Sequence, residues 1–162
     1  KVARYKSGKY TIERPLHFGG ALAGASGELM QAYSNYGLPL GEAFQLRDDL
    51  LGVFGDPSET GKPAGDDLRE GKRTALLAVA QERANSVQSA ELKKQIGDPN
   101  LTPSMISDLQ QIITDTGATS HIEMMIEELT STSLTALKHD GISPDGKQLL
   151  TELAILATNR KI

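Results

Sequence analysis

Ile122, Met125, Ile126 and Leu129 stand at i, i+3, i+4 and i+7. Spacing of this kind recurs through most of the chain. A period near 3.6 places one stripe of a helix in a core, and no run alternates with the period of 2 that a half-buried strand requires. The predicted fold class is therefore all-α, a helical bundle, and 162 residues supply one domain with a sizeable core. A first helix is expected to break near Ser7-Gly8 and a second to cover 14–36. A turn is read at Gly37–Pro39, then a helix over about 39–54 stopped by Gly55, Asp56 and Pro57. Residues 56–72 read as a long loop, with short helices over 73–84 and 91–96. A further helix opens at Thr102 and Pro103, as N-cap and first helical residue, and closes at Gly117. The last helix is expected to bury Leu149, Leu153 and Leu156. The segment Gly19–Gly27 is nearly all small residues, which points to close approach of another helix or of a ligand.

Charge narrows the partners. The net charge is −4 and the basic residues are dispersed, so neither nucleic acid nor an anionic membrane surface is an expected partner. No apolar run approaches the roughly 20 residues of a membrane span, so membrane insertion is not expected. The absence of cysteine excludes disulfides and thiolate metal sites and fits the expected cytoplasmic location. The chain opens KVARYKSGKY without an initiator methionine and reads as part of a longer protein.

The run FQLRDDLLGVFGDP, residues 44–57, sets two aspartates inside an apolar helix. Gln45, Asp48 and Asp49 stand at i, i+3 and i+4 and share a helix face. Adjacent carboxylates in apolar surroundings repel each other and lose hydration. A hard divalent cation removes both problems, and Mg²⁺ in particular takes one or two carboxylates and leaves its other positions to water and phosphate. The alternative pairs one aspartate with Arg47 or a distant arginine and leaves the other solvated. The following loop carries Lys62, Arg69, Lys72 and Arg73 among glycines. Lysine is a compact charge suited to phosphate. An acidic helix followed by a basic glycine loop points to a metal–diphosphate site.

FQLRDDLLGVFGDP followed by TGKPAGDDLREGKRT resembles the second aspartate-rich motif and loop of the trans-prenyl diphosphate synthases. YKSGKYTIERPLHFGGALAGAS resembles the lysine–threonine segment that precedes that motif. The likeness covers about residues 4 to 74; the remainder fits as C-terminal helices. It implies an isoprenoid-synthase-type bundle, of which residues 1–162 form the C-terminal portion; the N-terminal half, with the first aspartate-rich motif, is absent. It further implies Mg²⁺ as cofactor, isopentenyl diphosphate and an allylic diphosphate as substrates, and a homodimer when complete. The implied reaction is head-to-tail condensation to an all-trans product such as farnesyl or geranylgeranyl diphosphate. Carried over by position, Asp48 and Asp49 correspond to metal-binding residues and Gln45 to the glutamine beside the reacting carbons. Lys6 and Ser7 take the place of the lysine–threonine pair, with Lys6, Lys62 and Lys72 on diphosphate. The portion alone is not expected to turn over.

Two positions depart from the pattern: Gly52 stands where a third aspartate is usual, and Ser7 replaces threonine. Two rivals stay open. One is a non-catalytic partner subunit, which usually lacks the acidic motifs; the other is a terpene cyclase, whose Asn, Ser or Thr, and Glu motif has no counterpart here. His17, His121 and His139 lack ligand spacing and are expected to be structural, as are Met124 and Met125 in the core. Asp67 is read as holding the loop rather than a metal. Arg160 and Lys161 are read either as a polar tail or as a cover for the site.

Overall fold

All regular structure is helical among the residues that the computed structural model describes, 4–61 and 63–160. The chain divides into two compact units. The first takes residues up to Gln45 together with Met125–Arg160, and the second takes Leu46–Met124.

The first unit opens with a π-helix, Arg4–Glu13, which runs directly into α1, Arg14–Leu22. The expected break at Ser7-Gly8 does not occur; both residues are buried within the π-helix. π-Helical segments are rare and concentrate at functional positions. A short link, in which the Ser26 hydroxyl accepts a bond from Leu29 N at 3.2 Å, leads to α2, Gly27–Phe54.

α2 also passes through the expected turn at Gly37–Pro39, with Pro39 inside the helix. Pro39 forgoes a backbone bond and strains the preceding turn. Burial on both sides offsets this: Tyr36 and Leu40 are completely buried. Gly37 is a packing notch rather than a turn residue. A Cβ there would lie 3.0 Å from Glu13 N, so the bare backbone is what admits the end of the π-helix.

The core of this unit joins Tyr36 and Leu40 to Leu137, Ile142 and Ala154, with Ile12, Leu16, Leu134 and Leu150 packed around them. Leu137 and Ile142 follow α8, Ala118–Ala136; Ala154 lies on α9, Pro144–Thr158. The face of α9 that is buried differs from the expected one. Leu149, Leu153 and Leu156 are 65%, 47% and 73% exposed, whereas Ala154 and Thr158 are buried. α9 is apolar on more than one side, and the small-residue side is the one that approaches the core closely. Among the small residues of 19–27, close packing accounts for Gly20, whose added Cβ would meet Met30 Sδ at 2.9 Å; at Gly19 the space is open.

Tyr36 ties the unit together. Its hydroxyl donates to Leu150 O at 2.7 Å, and its own carbonyl accepts from Ser133 Oγ at 2.8 Å. Burial pushes the phenol up from its usual value of 10.0. A raised folded-state pKa contributes stability in full below the unfolded value, and that contribution falls as pH climbs above it. Denaturant titrations of the wild type should therefore lose midpoint above about pH 10. Tyr36→Phe should lose about 1 kcal/mol at neutral pH with the hydrogen bond, and should show a shallower alkaline decline.

In the second unit the end of α2 buries Leu46, Leu50 and Val53. The segment after Gly55 contains two short helices in place of the expected loop: α3, Pro57–Thr60, and α4, Asp66–Glu70. Helices of 4 and 5 residues are too short to register as a period. Asp56 caps α3 by accepting from Ser58 N at 2.7 Å. Next come α5, Ala75–Arg83, α6, Ser86–Gln95, and α7, Pro103–Asp115. Thr102 caps α7 as expected, its hydroxyl accepting from Met105 N at 3.3 Å. Gln110 of α7 donates to Val53 O at 2.6 Å and fastens α7 to the end of α2.

Candidate functional site

Within the second unit, Asp49 is 8% exposed and Asp48 half-buried. Asp49 Oδ2 accepts from Ala75 N at 3.2 Å. It thereby satisfies one of the backbone donors that the first turn of α5 cannot pair internally, and the helix dipole favours a carboxylate there. Arg47, beside the acidic pair, is buried and bound to Glu123 through both terminal nitrogens at 2.7 Å. This two-pronged pair locks the acidic segment of α2 to α8.

Lys72 follows α4. Its ammonium is paired with the Asp67 carboxylate and lies 3.2 Å from Glu70 Oε2. Asp67 is only 5% exposed, so the lysine side chain is anchored at a buried carboxylate while remaining partly open to solvent. The hydrogen bond that the Lys72 ammonium donates to Asp67 is the main reason it holds its proton above the ordinary lysine value, with Glu70 adding to it. Lys72 N also donates to Asp67 O at 3.1 Å. Asp67 therefore organises the turn that carries the lysine, in keeping with the role expected of it. Lys62 lies outside the described residues. Arg69 Nη1 donates to Ala64 O at 2.7 Å and braces the segment between α3 and α4.

Within the first unit, the structure brings Ser7 and Gln45 together: Ser7 Oγ donates to Gln45 Oε1 at 2.9 Å across 38 positions of sequence. That orients the glutamine side chain. Two glycines make it possible. A Cβ at Gly41 would lie 2.5 Å from the carbonyl carbon of Ser7 and closer still to Gly8 N and Cα. The π-helix thus rests on α2 backbone to backbone. Lys6, the neighbour of Ser7, is exposed. Sequence reasoning singled out Ser7 and Gln45 separately and missed Gly41; its only signal was a glycine inside an otherwise apolar helix.

Arg160 places its guanidinium 4.8 Å from the centre of the Phe44 ring, next in sequence to Gln45. Lys161 lies outside the described residues. His17 is structural: Nε2 lies 3.0 Å from Met30 O and 2.9 Å from Ser34 Oγ, joining α1 to α2. His139 Nδ1 accepts from Gly141 N at 3.0 Å. Met124 is 54% exposed rather than in the core. Among the described residues, no three His, Asp or Glu side chains converge as a ready-made metal cage. Asp48 and Asp49 are hard oxygen donors, a set that suits a cation completing its shell with water or phosphate.

The profile of the Polyprenyl synthetase family matches residues 1–115. The chain belongs to the polyprenyl synthetase family. Among family members, it is 38% identical over 122 residues to the geranylfarnesyl diphosphate synthase of Aeropyrum pernix, covering 75% of this chain and 37% of that protein. Its fold matches a crystal structure of geranylgeranyl pyrophosphate synthase from Corynebacterium glutamicum, complexed with isoprenyl diphosphate and magnesium. The TM-score is 0.94 at 45% identity, over 99% of this chain and 45% of that one. It also matches a polyprenyl synthase from Caulobacter crescentus complexed with calcium and isoprenyl diphosphate, at TM-score 0.78 and 31% identity, over 90% of this chain and 44% of that one. The chain thus spans less than half the length of these polyprenyl synthetase relatives. The all-α bundle expected from the apolar period is the fold of the family.

Proposed function

We propose that this chain supplies the second acidic motif and the diphosphate-binding lysines of a short-chain prenyl diphosphate synthase. The observation that carries the reading is the Asp48–Asp49 pair on α2, half withdrawn from water, followed by Lys72 held charged at the end of α4. The two structural relatives bound to isoprenyl diphosphate with a divalent cation support it.

In this reading Asp48 and Asp49 would hold Mg²⁺, which would supply positive charge to the departing diphosphate. Lys6, Lys62 and Lys72 bind diphosphate oxygens as point charges. Gln45, oriented by Ser7, faces the reacting carbons. The allylic carbon–oxygen bond breaks, the double bond of isopentenyl diphosphate forms the new carbon–carbon bond, and a proton leaves to the released diphosphate. The product is a farnesyl- or geranylgeranyl-length all-trans diphosphate. The complete protein is a cytoplasmic homodimer, and no described helix is long and apolar enough to cross a membrane. Retention of both aspartates and of Gln45 and Lys72 favours the catalytic reading over a non-catalytic partner subunit.

Calorimetric titration of the chain with inorganic diphosphate tests this directly. Binding is expected with Mg²⁺ present and should weaken at least about tenfold with a chelator, since a cation held by Asp48 and Asp49 would supply the positive charge that the diphosphate needs. Equal binding in both conditions would exclude the metal, and no binding in either would exclude the diphosphate site. Turnover is read separately, in the complete protein, as the lengthened prenyl diphosphate by mass spectrometry.

A further inference from the structure

Gly52 stands one turn beyond Asp48 on α2, at the position where the family pattern usually has a third aspartate. Its space is taken by another residue. A Cβ at Gly52 would lie 2.8 Å from Asp67 Oδ1 and closer still to Asp67 Oδ2 and Cγ. The carboxylate from α4 therefore lies directly on the bare backbone of α2. The same carboxylate pairs with the Lys72 ammonium, and Asp67 is buried. Three facts are thus linked: a missing side chain, a buried acid in its place, and a lysine held by that acid.

We infer that Gly52 is a positioning residue for Lys72: it forms a notch on α2 that seats the Asp67 carboxylate, and Asp67 fixes the lysine. The bearing of this on diphosphate binding rests on the function proposed above; the notch itself does not. In this chain the space beside position 52 holds the Asp67 carboxylate, the one that carries the lysine. Any side chain at 52 displaces Asp67, because the clash is with the carboxylate of a short side chain on a packed helix, which has little freedom to withdraw.

Low-stoichiometry acetylation of the folded chain at neutral pH, read lysine by lysine by mass spectrometry, tests the inference without any ligand. Exposed Lys93 on α6 is the internal standard. In the wild type, Lys72 should label more slowly than Lys93, because the ion pair both covers the amine and keeps it protonated. Asp67→Asn, which keeps the shape, and Gly52→Ala should each raise the Lys72:Lys93 ratio by about threefold or more, because the amine loses the carboxylate that holds its proton. An unchanged ratio in Gly52→Ala overturns the inference.

Where Gly52→Ala folds poorly by circular dichroism, the double variant Gly52→Ala with Asp67→Gly decides. Removing the Asp67 side chain frees the space, so the double variant should be more stable than the sum of the two single changes allows. Strict additivity overturns the shared space. Adding Mg²⁺ and inorganic diphosphate should slow Lys72 labelling further in the wild type. Failure of that step alone removes Lys72 from the proposed diphosphate site, and the ligand-free ratios still decide the notch.

Discussion

Asp48→Ala is expected to weaken Mg²⁺-dependent diphosphate binding by at least about 100-fold, equivalent to about 2.7 kcal/mol, and to abolish turnover in the complete protein. Asp48 is half-buried, so its side chain is open to solvent on one side. Phosphate and carboxylate are both anions and repel without a cation between them, so removing one carboxylate removes part of what would hold that cation. Stability should change little, by less than about 1 kcal/mol, because no buried core volume is lost. Asp49→Ala should behave differently. Its carboxylate also accepts from Ala75 N, so the change leaves a helix donor unpaired and costs about 1–3 kcal/mol. Calorimetry with inorganic diphosphate, run beside thermal denaturation of both variants, separates the two. Tight metal-dependent binding by the Asp48→Ala chain would remove that residue from the site.

Gly41→Ala is expected to destabilise the chain by about 1–3 kcal/mol or more and to break the Ser7–Gln45 hydrogen bond. Alanine is the better helix former by about 1 kcal/mol, so propensity alone predicts the opposite sign. The clash decides, because the new methyl would meet the backbone of Ser7 and Gly8, which cannot swing aside like a flexible side chain. Gly19→Ala is the matched control. It lies in α1 with nothing within 4 Å of its added Cβ, so the same substitution should stabilise by up to about 1 kcal/mol. Chemical denaturation of the two variants should therefore move the midpoint in opposite directions. In the complete protein, Gly41→Ala should also lower kcat through Gln45, and a stable variant with the wild-type midpoint would contradict the close contact.

The helical class was legible because it is local. Each apolar stripe repeats within a turn or two, and so do the stop at Gly55–Pro57 and the cap at Thr102. The candidate site residues stand out in the sequence for a similar reason: Asp48, Asp49 and Gln45 fall within one turn of α2, and a basic segment follows directly. The errors share another cause. The turn at Gly37–Pro39 followed from propensity, yet α2 continues because Tyr36 and Leu40 are buried on either side. On α9 the sequence points to the leucine face because leucine outweighs alanine on any hydrophobic scale, while close packing buries the smaller residue.

Glycine shows most clearly where the line falls. In the sequence, Gly37 reads as a turn, Gly41 as a weak point in a helix and Gly52 as a lost aspartate. In the structure each is a place where another segment reaches α2: Glu13 at Gly37, Ser7 and Gly8 at Gly41, Asp67 at Gly52. The helical period, the acidic pair and the lysines that follow it can be read from the chain, since these depend on residues within a few positions of one another. Which bare stretches of α2 admit Ser7 and Asp67, and so which side chains orient Gln45 and hold Lys72, depends on how distant segments pack. Close backbone approach is a contact between segments distant in the chain, and it leaves no period to read.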